Sequence, residues 1–196
     1  GICLNWGCIP SKALLRNAEV LNLVKDSETF GISFQNLTYD FGKAIDRSRE
    51  VVSRLTSGVG YLLRKNNVDH IQGSATFIDD STIIVKEESS QDRVISADHI
   101  VVATGARQKE LPGLSIDHKI IITSRDALEL REVPKSIVVI GGGATGAEFS
   151  HVYRSYGAEV TIIELMDRLI PNEDEEISEL LEKSFPDHGI SIEPGS

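Results

Sequence analysis

The sequence predicts an α/β fold in which helices pack against a parallel sheet and a small antiparallel meander is inserted. Three features of the 196 residues support this prediction: two amphipathic stretches near the start, several short β-branched runs in the middle, and a strand–helix–strand pattern at 136–164. Hydrophobic residues make up 40% of the chain. That share is enough to build a substantial core.

The first two predicted elements are helices. Apolar residues recur at helical spacing over 14–24, so a helix is predicted from about Pro10 to just before Phe30. A second apolar stripe runs over 45–62, and Asn66 is expected to end that helix. Because both stripes are one-sided, each helix is expected to bury one face and expose the other.

Short strands follow the helices. Runs rich in β-branched residues alternate with polar turn sequences, which predicts a small antiparallel meander. The predicted strands are 71–78, 82–87 and 93–96, with turns at 79–80 and 89–92. The apolar run 99–103 is predicted to be a buried strand that leads into Thr104 and Gly105.

The rest of the chain alternates between helical and strand patterns. This alternation is typical of βαβ units and a parallel sheet. The predicted elements are a short helix capped by Ser124 and ending before Pro134, a buried strand at 136–140, a helix at 145–156, a strand at 160–164, and a helix at 173–185 stopped by Pro186.

Composition excludes several classes of function. The net charge of −10 argues against nucleic acid as a partner, since phosphate binding needs clustered Lys and Arg. No apolar run approaches the roughly 20 residues of a membrane span. The chain starts without Met and without the layout of a signal peptide, so residues are expected upstream. Two cysteines do not make a secreted disulfide framework, and a cytoplasmic location is expected, with an organelle as the alternative.

A glycine-rich turn follows the strand at 136–140. Gly141, Gly143 and Gly146 form G-x-G-x-x-G between a strand and a helix, and the acidic Glu164 follows at close to the expected spacing of about 20 residues. The turn and the helix N-terminus suit a pyrophosphate, while Glu164 can bind a ribose hydroxyl and would repel the extra phosphate of NADP. NAD is therefore favoured, although Arg168 nearby could accept that phosphate. The alternative is a glycine turn in an ordinary α/β protein.

The two cysteines, Cys3 and Cys8, are separated by four residues. Three interpretations are open: a metal site, a pair of buried thiols, or a redox pair. A zinc site needs about four ligands, and no histidine is spaced as a partner. The redox interpretation is favoured because Cys8 lies just before a predicted helix N-terminus, and Lys12 on the first turn adds positive charge; both stabilise a thiolate.

Four separated segments resemble one known family. The segment 1–15, from Gly1 through Cys8 to the Ile-Pro-Ser-Lys-Ala-Leu-Leu ending, resembles the active-site segment of class I pyridine nucleotide–disulfide oxidoreductases, and its ending is similar to dihydrolipoyl dehydrogenases in particular. Residues 102–106 resemble the second flavin motif of the family. Residues 141–148 with Glu164 resemble its NAD site, and residues 166–171 also look like this family.

The resemblance implies roles for particular residues. Cys8 would be the thiolate nearest the flavin, and Cys3 would exchange with the lipoyl disulfide. Lys12 would lie near the flavin and pair with Glu148. The residues implied in cofactor binding are Lys12, Ala75, Thr104, Gly105 and Ala106 for FAD, and Gly141, Gly142, Gly143, Ala144, Thr145, Gly146, Ala147, Glu148 and Glu164 for NAD. No metal ligand and no catalytic histidine is assigned, and the five histidines are interpreted as surface or packing residues.

The resemblance also implies the whole architecture: Rossmann-like FAD- and NAD(P)-binding domains with an inserted antiparallel β-meander, truncated at both ends. Residues 1–114 would be an FAD-binding domain without its N-terminal βαβ unit, and residues 115–196 would be part of an NAD-binding domain. The whole protein would be a homodimer that oxidises dihydrolipoamide on the lipoyl domains of 2-oxoacid dehydrogenase or glycine cleavage complexes. The 196 residues alone are expected to be inactive.

Two alternatives stay open from the sequence. One is another enzyme of the same family, such as mercuric or glutathione reductase, although Glu164 argues against members that use NADP. The other, for these residues in isolation, is a non-catalytic nucleotide-binding module. Bound flavin would distinguish a flavoenzyme from a module that binds NAD only.

Overall fold

The computed structural model describes residues 1–87 and 91–196. The helices are α1 (Ile2–Trp6), α2 (Cys8–Lys25), α3 (Phe41–Lys65), α4 (Ser124–Ala127), α5 (Ala144–Ser155) and α6 (Glu175–Asp187), with a 3-10 turn at Ser27–Phe30. The strands are β1 (Ser74–Phe77), β2 (Thr82–Lys86), β3 (Arg93–Ser96), β4 (Ser136–Ile140), β5 (Glu159–Glu164) and β6 (Ile190–Pro194). Among the described residues, none of the helices combines the length and the apolar character needed to span a membrane.

The strands form two sheets of different type. The strands β1, β2 and β3 pair antiparallel in chain order, which confirms the predicted meander. Residues 89 and 90 of the turn predicted at 89–92 lie outside the described residues. The strands β4, β5 and β6 pair in parallel, with Val139 opposite Ile162 and Ile162 opposite Ile192. Strand β6 was not predicted from the sequence. The fold is therefore α/β, with one parallel and one antiparallel three-stranded sheet among the described residues.

One hydrophobic core joins the two halves of the chain. Helix α2 packs against both α3 and α5, so Leu14 and Phe41 lie in the same cluster as Phe149 and Tyr153. Tyr153 is almost fully buried, and its hydroxyl donates to the Ala127 carbonyl at 2.9 Å. The division into domains at residues 114 and 115 stays a prediction, and this core spans that point.

The ends of three helices differ from those predicted. Helix α2 begins at Cys8 rather than near Pro10, with Gly7 at its N-cap. Thr123, not Ser124, caps α4: Thr123 and Asp126 form a reciprocal capping box that satisfies two free N–H groups. Pro186 lies inside α6 rather than stopping it, because a proline in the last turn leaves only the end of the hydrogen-bond ladder incomplete.

Two strands predicted to be buried are not. Residues 99–103 form no strand, and Val101 and Val102 are 87% and 65% exposed. A buried strand needs a neighbouring strand to pair with its N–H and C=O groups. No strand of the described ranges pairs with residues 99–103. Strand β4 is present, but Val138 and Ile140 on one of its faces are more than half exposed, because helices cover only the other face.

Helix α3 is covered over only part of its length. Asp40 caps its N-terminus by accepting the Lys43 N–H at 3.1 Å, and Asn66 ends it as predicted. Its first half buries Ile45 and Val52 against the core. The apolar stripe then continues into solvent, where Leu55, Val59 and Leu62 are 41%, 46% and 54% exposed.

Candidate functional site

The two cysteines lie where two helices meet. Cys3 is in α1 and Cys8 is the first residue of α2, with Gly7 between the helices. Both thiols are free and exposed. The chain folds back tightly at Gly7, where a Cβ atom would lie 3.1 Å from the Cys3 Cα. The predicted pair is therefore brought together at the N-terminus of a helix.

The electrostatics of the pair are unequal. A hydrogen bond from the Cys3 thiol to Cys8 raises the pKa of Cys3 above its ordinary value, and Lys12 offsets part of that rise. Cys8 occupies the first turn of α2, where the helix dipole favours a negative charge. Cys3 therefore keeps its proton to a higher pH than an isolated thiol would.

A metal site is the alternative interpretation of the pair. Within residues 1–87 and 91–196, the structure brings together no group of three or more His, Cys, Asp or Glu side chains that could hold an ion. Two thiolates alone fall short of the four ligands typical of zinc.

Lys12 links the cysteine pair to the glycine turn. Its Nζ lies 2.5 Å from Oε1 of Glu148, so the ion pair expected from the sequence is present. Lys12 lies one turn after Cys8 on α2, and Glu148 lies near the start of α5. Because α2 and α5 pack against each other, a contact across 136 residues of sequence places the two predicted sites side by side.

The three glycines of the turn differ in whether the structure requires glycine at their positions. Gly141 has a φ of +105°, a conformation that favours glycine. A Cβ on Gly146 would lie 1.9 Å from the Gly141 carbonyl oxygen, so the helix and the turn could not approach as they do. Gly143, the N-cap of α5, has no other atom within 4 Å of where its Cβ would be. Its backbone therefore faces open space.

This opening has the features of an anion site. No side chain among the described residues caps the N-terminus of α5, so its first N–H groups are available. Ala144, Thr145 and Ala147 all lie in the first turns of this helix. The free N–H groups and the helix dipole suit a pyrophosphate. These residues fit the NAD site that the sequence predicts.

Glu164 has a structural role that the sequence analysis missed. It is only 8% exposed, and its two oxygens accept the N–H groups of Gly142 at 2.6 Å and Met166 at 2.8 Å. The carboxylate therefore holds the glycine turn in place. Each oxygen keeps a second lone pair, with which it can still accept a hydrogen bond from a ribose hydroxyl. The Arg168 side chain, considered above as a ligand for the NADP phosphate, donates a hydrogen bond to the carbonyl of Pro171.

Fewer contacts in the structure bear on the residues predicted to bind FAD than on those predicted to bind NAD. Thr104, Gly105 and Ala106 lie in an exposed loop that packs against α1, because a Cβ on Gly105 would lie 2.8 Å from Cδ1 of Ile2. This loop is therefore next to the segment that carries Cys3. Ala75 is an exposed residue of β1 opposite Val85, and its contact with FAD stays a prediction.

Trp6, which lies between the two cysteines, was not among the site residues predicted from the sequence. The guanidinium carbons of Arg49 and Arg125 lie 4.8 and 4.0 Å from the centroid of the Trp6 ring. A tryptophan is the best cation–π partner among the aromatic residues. A lone tryptophan inside a candidate redox segment was a signal that could have drawn attention to this residue.

Comparison with known proteins identifies the family. The sequence model of the family described as pyridine nucleotide-disulphide oxidoreductase matches residues 1–196. The chain belongs to this family. It is 46% identical over 196 residues to a dihydrolipoyl dehydrogenase of Chlorobaculum tepidum and 42% identical over 193 residues to one of Mycobacterium tuberculosis. A dihydrolipoyl dehydrogenase of Bacillus subtilis is 38% identical over 198 residues. The chain is thus a homologue of dihydrolipoyl dehydrogenases.

Solved structures agree with the family assignment. LpdA from Mycobacterium tuberculosis superimposes with a TM-score of 0.90 at 25% identity, over 100% of this chain and 43% of that one. The flavoprotein disulfide reductase RclA from Escherichia coli, described as HOCl-induced, superimposes with a TM-score of 0.81 at 29% identity, over 100% of this chain and 41% of that one. The chain also spans less than half the length of its sequence relatives. It covers 42% of the Chlorobaculum tepidum protein, and 98% of it aligns with 41% of the Mycobacterium tuberculosis protein.

Proposed function

We propose that the protein carrying this chain oxidises protein-bound dihydrolipoamide through a Cys3–Cys8 disulfide, with FAD and NAD as cofactors. The observation that carries the proposal is the pair of free, exposed thiols where α1 and α2 meet, one helical turn before Lys12. The relatives named dihydrolipoyl dehydrogenase support the choice of substrate.

The chemistry assigned to this chain is thiol–disulfide exchange. A dihydrolipoamide thiolate attacks the sulfur of Cys3, the Cys3–Cys8 bond breaks, and Cys8 leaves as a thiolate. The second thiolate of dihydrolipoamide then attacks the substrate sulfur that is bonded to Cys3. This closes the lipoyl disulfide and releases Cys3 as a thiolate. The lipoyl group is oxidised to a disulfide, and two electrons remain on the Cys3–Cys8 dithiol. Cys8, the first residue of α2, is the leaving group in this exchange.

The proposed cofactor sites use the residues described above. FAD, when bound, supplies the two-electron carrier between this dithiol and NAD. Lys12, one turn after Cys8, and the loop of Thr104, Gly105 and Ala106, which approaches Ile2 at Gly105, would hold the flavin. The turn at 141–148 would hold the pyrophosphate of NAD, and Glu164 would hold its ribose.

The proposed partners are lipoyl domains of 2-oxoacid dehydrogenase or glycine cleavage complexes. Both cysteines are exposed, so a mobile lipoyl arm can reach them. A homodimeric, cytoplasmic protein with an FAD-binding domain at 1–114 and an NAD-binding domain at 115–196 completes the proposal.

The test is enzymatic and chemical on the purified protein. We expect dihydrolipoamide-dependent reduction of NAD, and its loss by a factor of at least about 100 in Cys3→Ser and in Cys8→Ser, since each removes one sulfur of the pair. Differential alkylation should show that Cys3 and Cys8 become reactive together on mild reduction. Activity with oxidised glutathione and NADPH, and none with dihydrolipoamide, would contradict the proposal in favour of another family member.

A further inference from the structure

The segment between the two cysteines is held by two arginines. Trp6, the single tryptophan of the chain, ends α1, and the guanidinium groups of Arg125 and Arg49 lie over its ring at 4.0 and 4.8 Å. Arg49 belongs to α3 and Arg125 to α4, so the two contacts come from elements far apart in the sequence. Nothing in thiol–disulfide exchange itself calls for two cations on this ring.

The contact from Arg49 is built into the fold. Its Nη1 donates to the Asn5 carbonyl at 3.0 Å. Its Nε and Nη2 are buried and have no acceptor among the described residues, so the ring of Trp6 is the partner for that part of the guanidinium. The Asn5 side chain also accepts from Thr56 at 3.4 Å and donates to the Gly1 carbonyl at 3.0 Å. Helix α3 therefore fixes residues 5 and 6 by several bonds.

The contact from Arg125 is different, because the Arg125 side chain is exposed, whereas part of the Arg49 guanidinium is buried. Arg125 lies in the first turn of α4, whose start is fixed by the capping box of Thr123 and Asp126. A planar guanidinium stacks on an aromatic face better than an ammonium does. Arg125 thus adds a contact to Trp6 without supporting the core.

We propose that Arg125 is a positioning residue for the Cys3–Cys8 pair, holding Trp6 so that the two thiols close readily into a disulfide. The inference rests on the proposed redox function of this pair. Closing a disulfide costs the conformational freedom of the intervening residues 4–7. Where contacts already restrict that freedom in the dithiol, the effective concentration of one sulfur at the other is higher. The Trp6 ring that Arg125 contacts belongs to this intervening segment, so the contact restricts the segment.

The experiment measures the dithiol–disulfide equilibrium of the purified protein in glutathione buffers. One oxidised glutathione accepts two electrons and two protons from the dithiol and gives two reduced glutathione molecules. Alkylation followed by mass spectrometry reports the state of Cys3 and Cys8 individually. We expect Arg125→Met to lower the equilibrium constant for disulfide formation by about two- to fivefold, the size of an exposed cation–π contact. Arg125→Lys, which keeps the cation but not the plane, should recover part of it.

Two controls separate positioning from general damage. Arg54→Met removes an exposed arginine of α3 and should leave the constant unchanged. In a Trp6→Leu background, Arg125→Met should have no further effect, because the ring through which Arg125 acts is absent.

The outcomes distinguish this inference from the proposed function. Equal constants for the parent and Arg125→Met overturn the inference alone, as does a loss that is the same with and without Trp6. A parent protein that keeps both thiols reduced in fully oxidised glutathione overturns the proposed function, and the inference with it.

Discussion

Replacing Gly146 by Ala tests the glycine turn most directly. Gly146 lies in the first turn of α5, where alanine is intrinsically the better helix former by about 1 kcal/mol. Propensity alone therefore predicts a more stable protein. The structure predicts the opposite, because the added Cβ would lie 1.9 Å from the Gly141 carbonyl oxygen.

The magnitude follows from which of these two effects is larger. Overpacking costs about 1–3 kcal/mol, and the upper end applies here because the opposing atom is backbone and cannot rotate away. Subtracting the gain of about 1 kcal/mol in helix propensity leaves a net loss of about 2 kcal/mol. For a chain of this size each kcal/mol lowers Tm by about 2–4 °C, so a fall of about 4–8 °C is expected.

The assay combines thermal unfolding with titration of NADH, and Gly143→Ala is the matched control. Gly143 has a φ of −70° and no atom within 4 Å of the new Cβ, so its stability should change by less than about 1 kcal/mol. Its NADH affinity should fall, because the added methyl group occupies the space in front of the turn. A Gly146→Ala protein as stable as the parent, or equal losses of Tm in both variants, would refute the steric reasoning.

Three further predictions concern ionisable groups. The pKa of Cys3 is raised chiefly by its hydrogen bond to Cys8, so Cys8→Ala should lower it and allow Cys3 to react with iodoacetamide at lower pH; an unchanged pH profile of alkylation would show that the bond is not made. Glu164→Gln keeps an acceptor for only one of the N–H groups of Gly142 and Met166, so it should lower Tm as well as weaken NAD binding by roughly 1–3 kcal/mol. The parent should prefer NAD over NADP in kcat/KM, and equal use of both would contradict the role given to Glu164.

Local sequence patterns predicted much of this fold. The helical stripes over 14–24 and 45–62 correspond to α2 and α3, and the alternation at 136–164 corresponds to β4, α5 and β5. Such patterns succeed because the periodicity of an amphipathic element is contained in the residues of that element. The glycine turn was predictable for the same reason, since a turn and the helix that follows it are built from consecutive residues.

Burial was predicted less well, because an apolar run does not specify its neighbours. Residues 99–103 and 136–140 have similar composition, yet only the second run forms a strand, since β5 lies beside it. The exposed second half of the α3 stripe has the same origin: periodicity shows which face is apolar, but not whether anything covers it.

The tertiary structure alone decided how the candidate sites are assembled. Family resemblance supplied the pairing of Lys12 with Glu148, but only the packing of α2 on α5 shows that it places the cysteine pair beside the glycine turn. No local sequence pattern indicated that the Glu164 carboxylate binds the glycine turn or that Arg125 stacks on Trp6. Contacts between residues so far apart depend on how completed elements pack, and the short-range periodicity of a sequence carries no record of that packing.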